Sequence, residues 1–120
     1  MSTPAAGISF VETHVFTRRI TSLGLEDAVR DLQLLLLQVP DVGDLDPGTG
    51  GLRKVRIPDP RRGKGKRSGA RVHYLWLPSV SVIYLLSVYS KGESSTLSPT
   101  EKRQLRAVVK AIRREWRSRE

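Results

Sequence analysis

The sequence predicts an α+β domain, a small antiparallel β-sheet with two helices before it and one helix after it. Three observations carry this reading. Between residues 52 and 89 lie three consecutive runs rich in β-branched and aromatic residues, with hairpin-like or loop connections. Two stretches with apolar residues at helical spacing precede them. A third such stretch follows, opened by a strong capping signal. Strands that follow one another rather than alternating with helices favour an antiparallel sheet with its helices gathered on one face. A length of 120 residues suits one domain spanning residues 1–120.

Taken in order, Met1 to Gly7 is small and polar and is expected to be disordered. Ile8 to Glu12 reads as a short edge strand. Thr13 can cap a short helix with Phe16, Ile20 and Leu23 on one side, ended by Gly24. Leu25 to Gln38 is a second helix, with Glu26 and Asp27 at its positive end and Pro40 as its stop. Val29, Leu32, Leu35 and Leu36 give it a buried face, and Leu34 and Leu37 are expected to widen that face as additional core. Asp41 to Gly51 is turn chemistry throughout.

Leu52 to Ile57 reads as a strand despite its charges, and Pro58 to Gly69 as a long cationic loop that Pro and Gly keep irregular. Ala70 to Leu77 and Val80 to Tyr89 form a predicted hairpin through Pro78 and Ser79. In the last helix Ser98 is the cap, Pro99 the first helical residue and Glu101 the partner of a capping box. Its apolar stripe is Leu105, Val108, Val109, Ile112 and Trp116, with Lys and Arg covering the rest.

Charge narrows the function classes. The net charge is +9, but residues 1–50 carry three basic and seven acidic residues, while residues 51–120 carry eighteen basic and five acidic. An asymmetry of −4 against +13 within one domain points to a polyanionic partner. With no cysteine, disulfide scaffolds and thiolate metal sites are excluded. His14 and His73 lack the clustered neighbours of a metal site, so neither metal nor other cofactor is expected. No apolar run approaches the ~20 residues of a membrane span, and no signal peptide is read, so the expected location is the cytoplasm.

The cationic stretch from Arg53 to Arg71 holds nine basic residues (Arg53, Lys54, Arg56, Arg61, Arg62, Lys64, Lys66, Arg67 and Arg71) against Asp59 alone. Unbalanced charge of this density repels itself unless a partner neutralises it. Strand alternation then sorts the residues. Lys54 and Arg56 share one face of their strand, with Val55 and Ile57 on the other. Arg71 and His73 lie opposite Val72, Tyr74 and Trp76. In the third strand, Val82, Tyr84, Leu86 and Val88 are expected inward, which sets Tyr89 and Lys91 on the outer face. The result is one cationic surface with the 58–69 loop at its edge, suited to nucleic-acid phosphates and above all to RNA.

At Gly48 to Arg56, Lys64 to Tyr74 and Ile83 to Ser98 the chain resembles the HigB-like branch of the RelE/ParE toxin superfamily of type II toxin–antitoxin modules. The ordered pieces are Gly-Thr-Gly-Gly-Leu-Arg-Lys, Lys-Gly-Lys-Arg, Gly-x-Arg-Val and Val-Tyr-x-Lys-x-Glu, and the similarity runs from about Phe10 to the end of the last helix. The resemblance implies a RelE-like fold, ribosome-dependent cleavage of mRNA, and inhibition by an antitoxin carrying a helix-turn-helix. It implies attack of an RNA 2′-OH on the adjacent phosphate, giving a 2′,3′-cyclic phosphate.

On the matching positions, the catalytic set is Lys54, Arg56, Arg71 and Lys91, with His73 and Tyr89 as possible auxiliaries. Arg53, Arg61, Arg62, Lys64, Lys66 and Arg67 are the expected contacts to RNA or ribosome. Two other functions fit the same outline. One is a ParE-type toxin that inhibits DNA gyrase, although those relatives generally lack the cationic set. The other is a non-catalytic RNA-binding domain.

Overall fold

The computed structural model describes residues 7–59, 69–90 and 97–119. Its elements run β1 (Ser9–Glu12), α1 (His14–Leu23), α2 (Glu26–Gln38), β2 (Asp44–Leu45), β3 (Arg53–Ile57), β4 (Ala70–Leu77), β5 (Val82–Ser90) and α3 (Pro99–Ser118). The fold is α+β, with two N-terminal helices, a five-stranded sheet and a C-terminal helix. The expected disorder of residues 1–7 falls, apart from Gly7, outside the described residues.

The local signals act as expected. Thr13 caps α1 by accepting from the Phe16 N–H at 3.1 Å, and its hydroxyl donates to the Leu86 carbonyl of β5. Gly24 ends α1 in the left-handed conformation at φ 67°, where a residue with a Cβ would be strained. In α3 both halves of the capping box form, the Glu101 N–H donating to Ser98 Oγ and the Ser98 N–H to Glu101 Oε1.

The strand order is β1-β5-β4-β3-β2. The β5-β4, β4-β3 and β3-β2 pairs are antiparallel, and the edge strand β1 joins β5 in parallel. The 41–51 segment, expected to be turn only, contributes β2, whose Asp44 and Leu45 pair with Lys54 and Arg53. Val80 and Ser81 belong to the hairpin turn rather than to β5, and Ser81 takes a φ of 55°.

Two cores sandwich the sheet. On one face Phe16, Ile20, Leu23, Val29, Leu32 and Leu36 of α1 and α2 pack on Ile57, Ala70, Val72, Tyr74, Ile83, Leu85 and Val88. On the other, Val109 of α3, flanked by Leu105, Ile112 and Trp116, packs on Leu52, Leu75, Leu77 and Leu86. Each fully buried Leu, Ile or Phe contributes about 1.5–3 kcal/mol relative to exposure. The helices are therefore not gathered on one face. Leu75 and Leu77 alternate with Tyr74 and Trp76, so β4 is apolar on both sides at this end and needs covering on both.

Two further expectations are corrected. Ile83 and Leu85 point toward α1 and α2, while Tyr84 and Leu86 meet α3. The register shifts between His73, paired with Ser87, and Tyr74, paired with Leu85, so Leu86 is an extra residue that reverses the alternation. Leu34 and Leu37 are 60% and 42% exposed and are not core. The core stripe of α2 is narrower than its sequence suggests, because the helix packs on the sheet from one side.

Candidate functional site

Beyond the bulge the α3 face of the sheet changes character. Along β4 the residues on this face run Leu77, Leu75, His73, Arg71, and the apolar stripe of α3 packs on the two leucines. At the other end two cross-strand rows come together. Arg56, Arg71 and Tyr89 pair across β3, β4 and β5, and Lys54, His73 and Ser87 form the row beside them. Cross-strand neighbours on one face stand about 4.5–5.5 Å apart at Cβ, so these are adjacent side chains. Strand alternation and pairing thus bring Lys54, Arg56, Arg71, His73 and Tyr89 to one face.

Their accessibility differs. Arg56 is exposed and Lys54 half-buried. Arg71 is only 6% exposed, and its Nη1 donates to the Gly69 carbonyl over a long 3.4 Å. Among the described residues no carboxylate forms an ion pair with Lys54, Arg56 or Arg71. Tyr89 is buried, and burial pushes its hydroxyl pKa up while the Arg71 charge opposes the rise. An open cleft of about 360 Å³ adjoins Tyr89, between Val15 and Arg19 of α1 and Leu97 and Glu101 at the start of α3.

His73 departs from the expected solvent-facing role. It is completely buried, and its Nε2 lies 2.7 Å from Asp46 Oδ2. Asp46 Oδ1 in turn accepts from Lys102 Nζ of α3 at 3.2 Å. Burial pushes the imidazole below its usual pKa, outweighing Asp46, and the charges of Lys54 and Lys102 add to the depression. Burial raises the Asp46 carboxyl, but the hydrogen bonds and charges of His73 and Lys102 prevail and hold it below the ordinary range. At neutral pH the pair is then a carboxylate accepting from the Nε2–H of a neutral imidazole. The His73 ring stacks on Tyr89, with centroids 6.0 Å apart. His73 Nδ1 and the Tyr89 hydroxyl are both buried with no hydrogen-bond partner among the described residues.

Arg53 belongs elsewhere. It shares the parity of Val55 and Ile57, and its Nη1 donates to the carbonyls of Gly43 at 2.7 Å and Asp41 at 3.2 Å. It clamps the turn after α2, where the Tyr74 hydroxyl also accepts from the Gly43 N–H and donates to the Pro40 carbonyl. Lys91, Arg61, Arg62, Lys64, Lys66 and Arg67 lie outside the described residues.

How the glycine-rich segment is held is not legible in the sequence. Lys102, Arg106 and Arg113 donate to the carbonyls of Pro47, Gly48 and Gly50. Within the turn, the buried Thr49 hydroxyl donates to the Asp46 carbonyl and accepts from the Leu52 N–H. Gly50 and Gly51, at φ 82° and 111°, let the chain pass close under α3. The only sequence signal for this clamp is the i, i+4, i+11 spacing of Lys102, Arg106 and Arg113. No protein-family model matches this sequence.

Proposed function

We propose that this chain is a toxin of a type II toxin–antitoxin module, of the HigB-like branch of the RelE/ParE superfamily, and that it cuts mRNA on the ribosome. The observation that carries the reading is the pair of rows Arg56–Arg71–Tyr89 and Lys54–His73–Ser87, which lie side by side on the α3 face of the sheet beyond its leucine cluster, with Arg56 exposed and Lys54 half-buried. A surface of guanidinium and ammonium groups beside an aromatic ring suits a reaction whose difficulty is phosphate charge.

In this reaction O2′ of the RNA bonds to the adjacent phosphorus and the P–O5′ bond breaks. The 2′-OH loses its proton and O5′ gains one, leaving a 2′,3′-cyclic phosphate and a 5′-hydroxyl. Arg71, with Lys91, neutralises charge on the phosphorane; Lys54 orients the 2′-OH; and Arg56 holds a phosphate oxygen. The Asp46–His73 pair acts on this chemistry through position, since the imidazole is covered. It keeps the β4 backbone and the Tyr89 ring in place beside Arg71.

In vitro translation with a defined mRNA tests the reading. Cleavage that requires ribosomes and leaves cyclic phosphate ends is the expected result. Intact mRNA, with or without ribosomes, would refute it, and gyrase poisoning in the same preparation would replace it with the ParE-type activity. The proposed partner is an antitoxin, which should abolish cleavage when added in equimolar amount.

A further inference from the structure

The seven basic residues of α3 are Lys102, Arg103, Arg106, Lys110, Arg113, Arg114 and Arg117, and its acids are Glu101 and Glu115. At 100° per residue all seven bases fall within a sector of about 120° on one flank of the helix. Both acids fall on the opposite flank with Val108. Contacts locate the cationic flank: Lys102, Arg106 and Arg113 reach down to the 46–50 turn, so it overhangs the β3 side of the sheet. The other flank, with Glu101, Gln104, Leu105 and Val108, borders the α1 side.

A solvated helix needs no such segregation. Alternating charges at i, i+4 would stabilise it, whereas cations four apart, such as Arg106 with Lys110 and Lys110 with Arg114, repel. Lys110, Arg114 and Arg117 are exposed, and their side chains make no hydrogen bond or ion pair among the described residues. The flank runs for ~22 Å, with at least one cation per turn. Its N-terminal end joins the candidate site through Lys102, Asp46 and His73, next to Lys54.

We propose that this flank of α3 is a second RNA-binding surface, which grips the phosphate backbone of an RNA alongside the Arg56–Arg71 face. The spacing suits a backbone rather than bases, because Lys and Arg on a helix present charge at regular intervals without an aromatic residue between them. The surface would orient a structured RNA so that a strand reaches the site, and its binding does not depend on cleavage.

Fluorescence anisotropy with a labelled RNA hairpin, across a potassium chloride series, tests this. Lys110→Gln/Arg114→Gln removes two contact-free cations while keeping helix propensity. Arg18→Gln/Arg30→Gln removes the same charge from α1 and α2. The α3 variant should lose about tenfold in affinity, and its slope of log K against log salt should shrink by about 1.5–2, at ~0.9 per lost phosphate contact. The control should stay within about twofold. Equal losses in both variants, or none in the α3 variant, would overturn the proposal. So would unchanged RNA binding with loss of binding to phosphatidylserine vesicles. RNA binding that depends on α3, in a protein that never cuts mRNA, would uphold this inference and refute the endonuclease reading.

Discussion

Replacing Asp46 with Ala should unfold this protein far more readily than its position in a surface turn suggests. The Asp46 carboxylate is the acceptor for a fully buried His73 Nε2–H at 2.7 Å and for a partly exposed Lys102. Removing it leaves a buried donor unsatisfied, which costs about 1–3 kcal/mol. Loss of the Lys102 pair, screened by solvent, adds up to ~1 kcal/mol. Relief of the carboxylate's own desolvation offsets part of this, so the net loss should be about 2–3 kcal/mol. For a domain of this size the melting temperature should fall by roughly 6–12 °C. Urea unfolding at pH 7.5, followed by fluorescence of Trp76 and Trp116, measures the change. Lys102→Gln should cost less than about 1 kcal/mol by the same assay. A loss below ~0.5 kcal/mol for Asp46→Ala would show that His73 finds another partner, and the account of a buried pair would be wrong.

The remaining predictions concern the site and its frame. Arg71→Ala should lower ribosome-dependent cleavage at least ~100-fold and abolish growth inhibition, with circular dichroism and antitoxin binding retained; persistent toxicity in that variant would remove Arg71 from the site. Gly69→Ala would drive a Cβ into the Ile57 carbonyl oxygen where β3 and β4 meet, so the strands must separate there. A loss of about 2–4 kcal/mol in thermal unfolding is expected, with loss of activity because Arg56 and Arg71 flank that point. Stability should also fall with acid in two stages. His73, depressed in the folded state, takes up a proton more readily when unfolded, so stability declines as pH drops below its ordinary value of 6.5. Asp46, also depressed, adds a second loss below 3.8, the unfolded value. In a His73→Gln variant the first decline should disappear from urea midpoints between those limits, and its persistence there would clear His73 of responsibility.

Much of the candidate site was legible because strand alternation is a local rule. Lys54 and Arg56, like Arg71 and His73, are two residues apart, and antiparallel pairing brings both sets to one face. The burial of His73 was not legible. Its partner Asp46 lies 27 residues away in a segment whose composition reads only as turn, and the cation that completes the trio comes from α3. The role of Arg53 was hidden for the same reason, since only the return of the 41–43 turn supplies the carbonyls it holds.

Taken by itself, the sequence determined whatever depends on near neighbours along the chain. The caps at Thr13 and Ser98, the stop at Gly24, the extent of β4 and the one-sided charge of α3 are of this kind, because each rests on contacts or spacing within a few residues. Only the tertiary structure decided which face of the sheet α3 covers. Periodicity shows that a helix has an apolar stripe but not which of two apolar sheet faces receives it. One extra residue at Leu86 reversed the facing of half a strand, and no periodicity reveals it, because a bulge is set by pairing with another strand. That placement of α3 covers one end of the sheet face with leucine contacts and leaves the other end to Arg56, Arg71 and Tyr89.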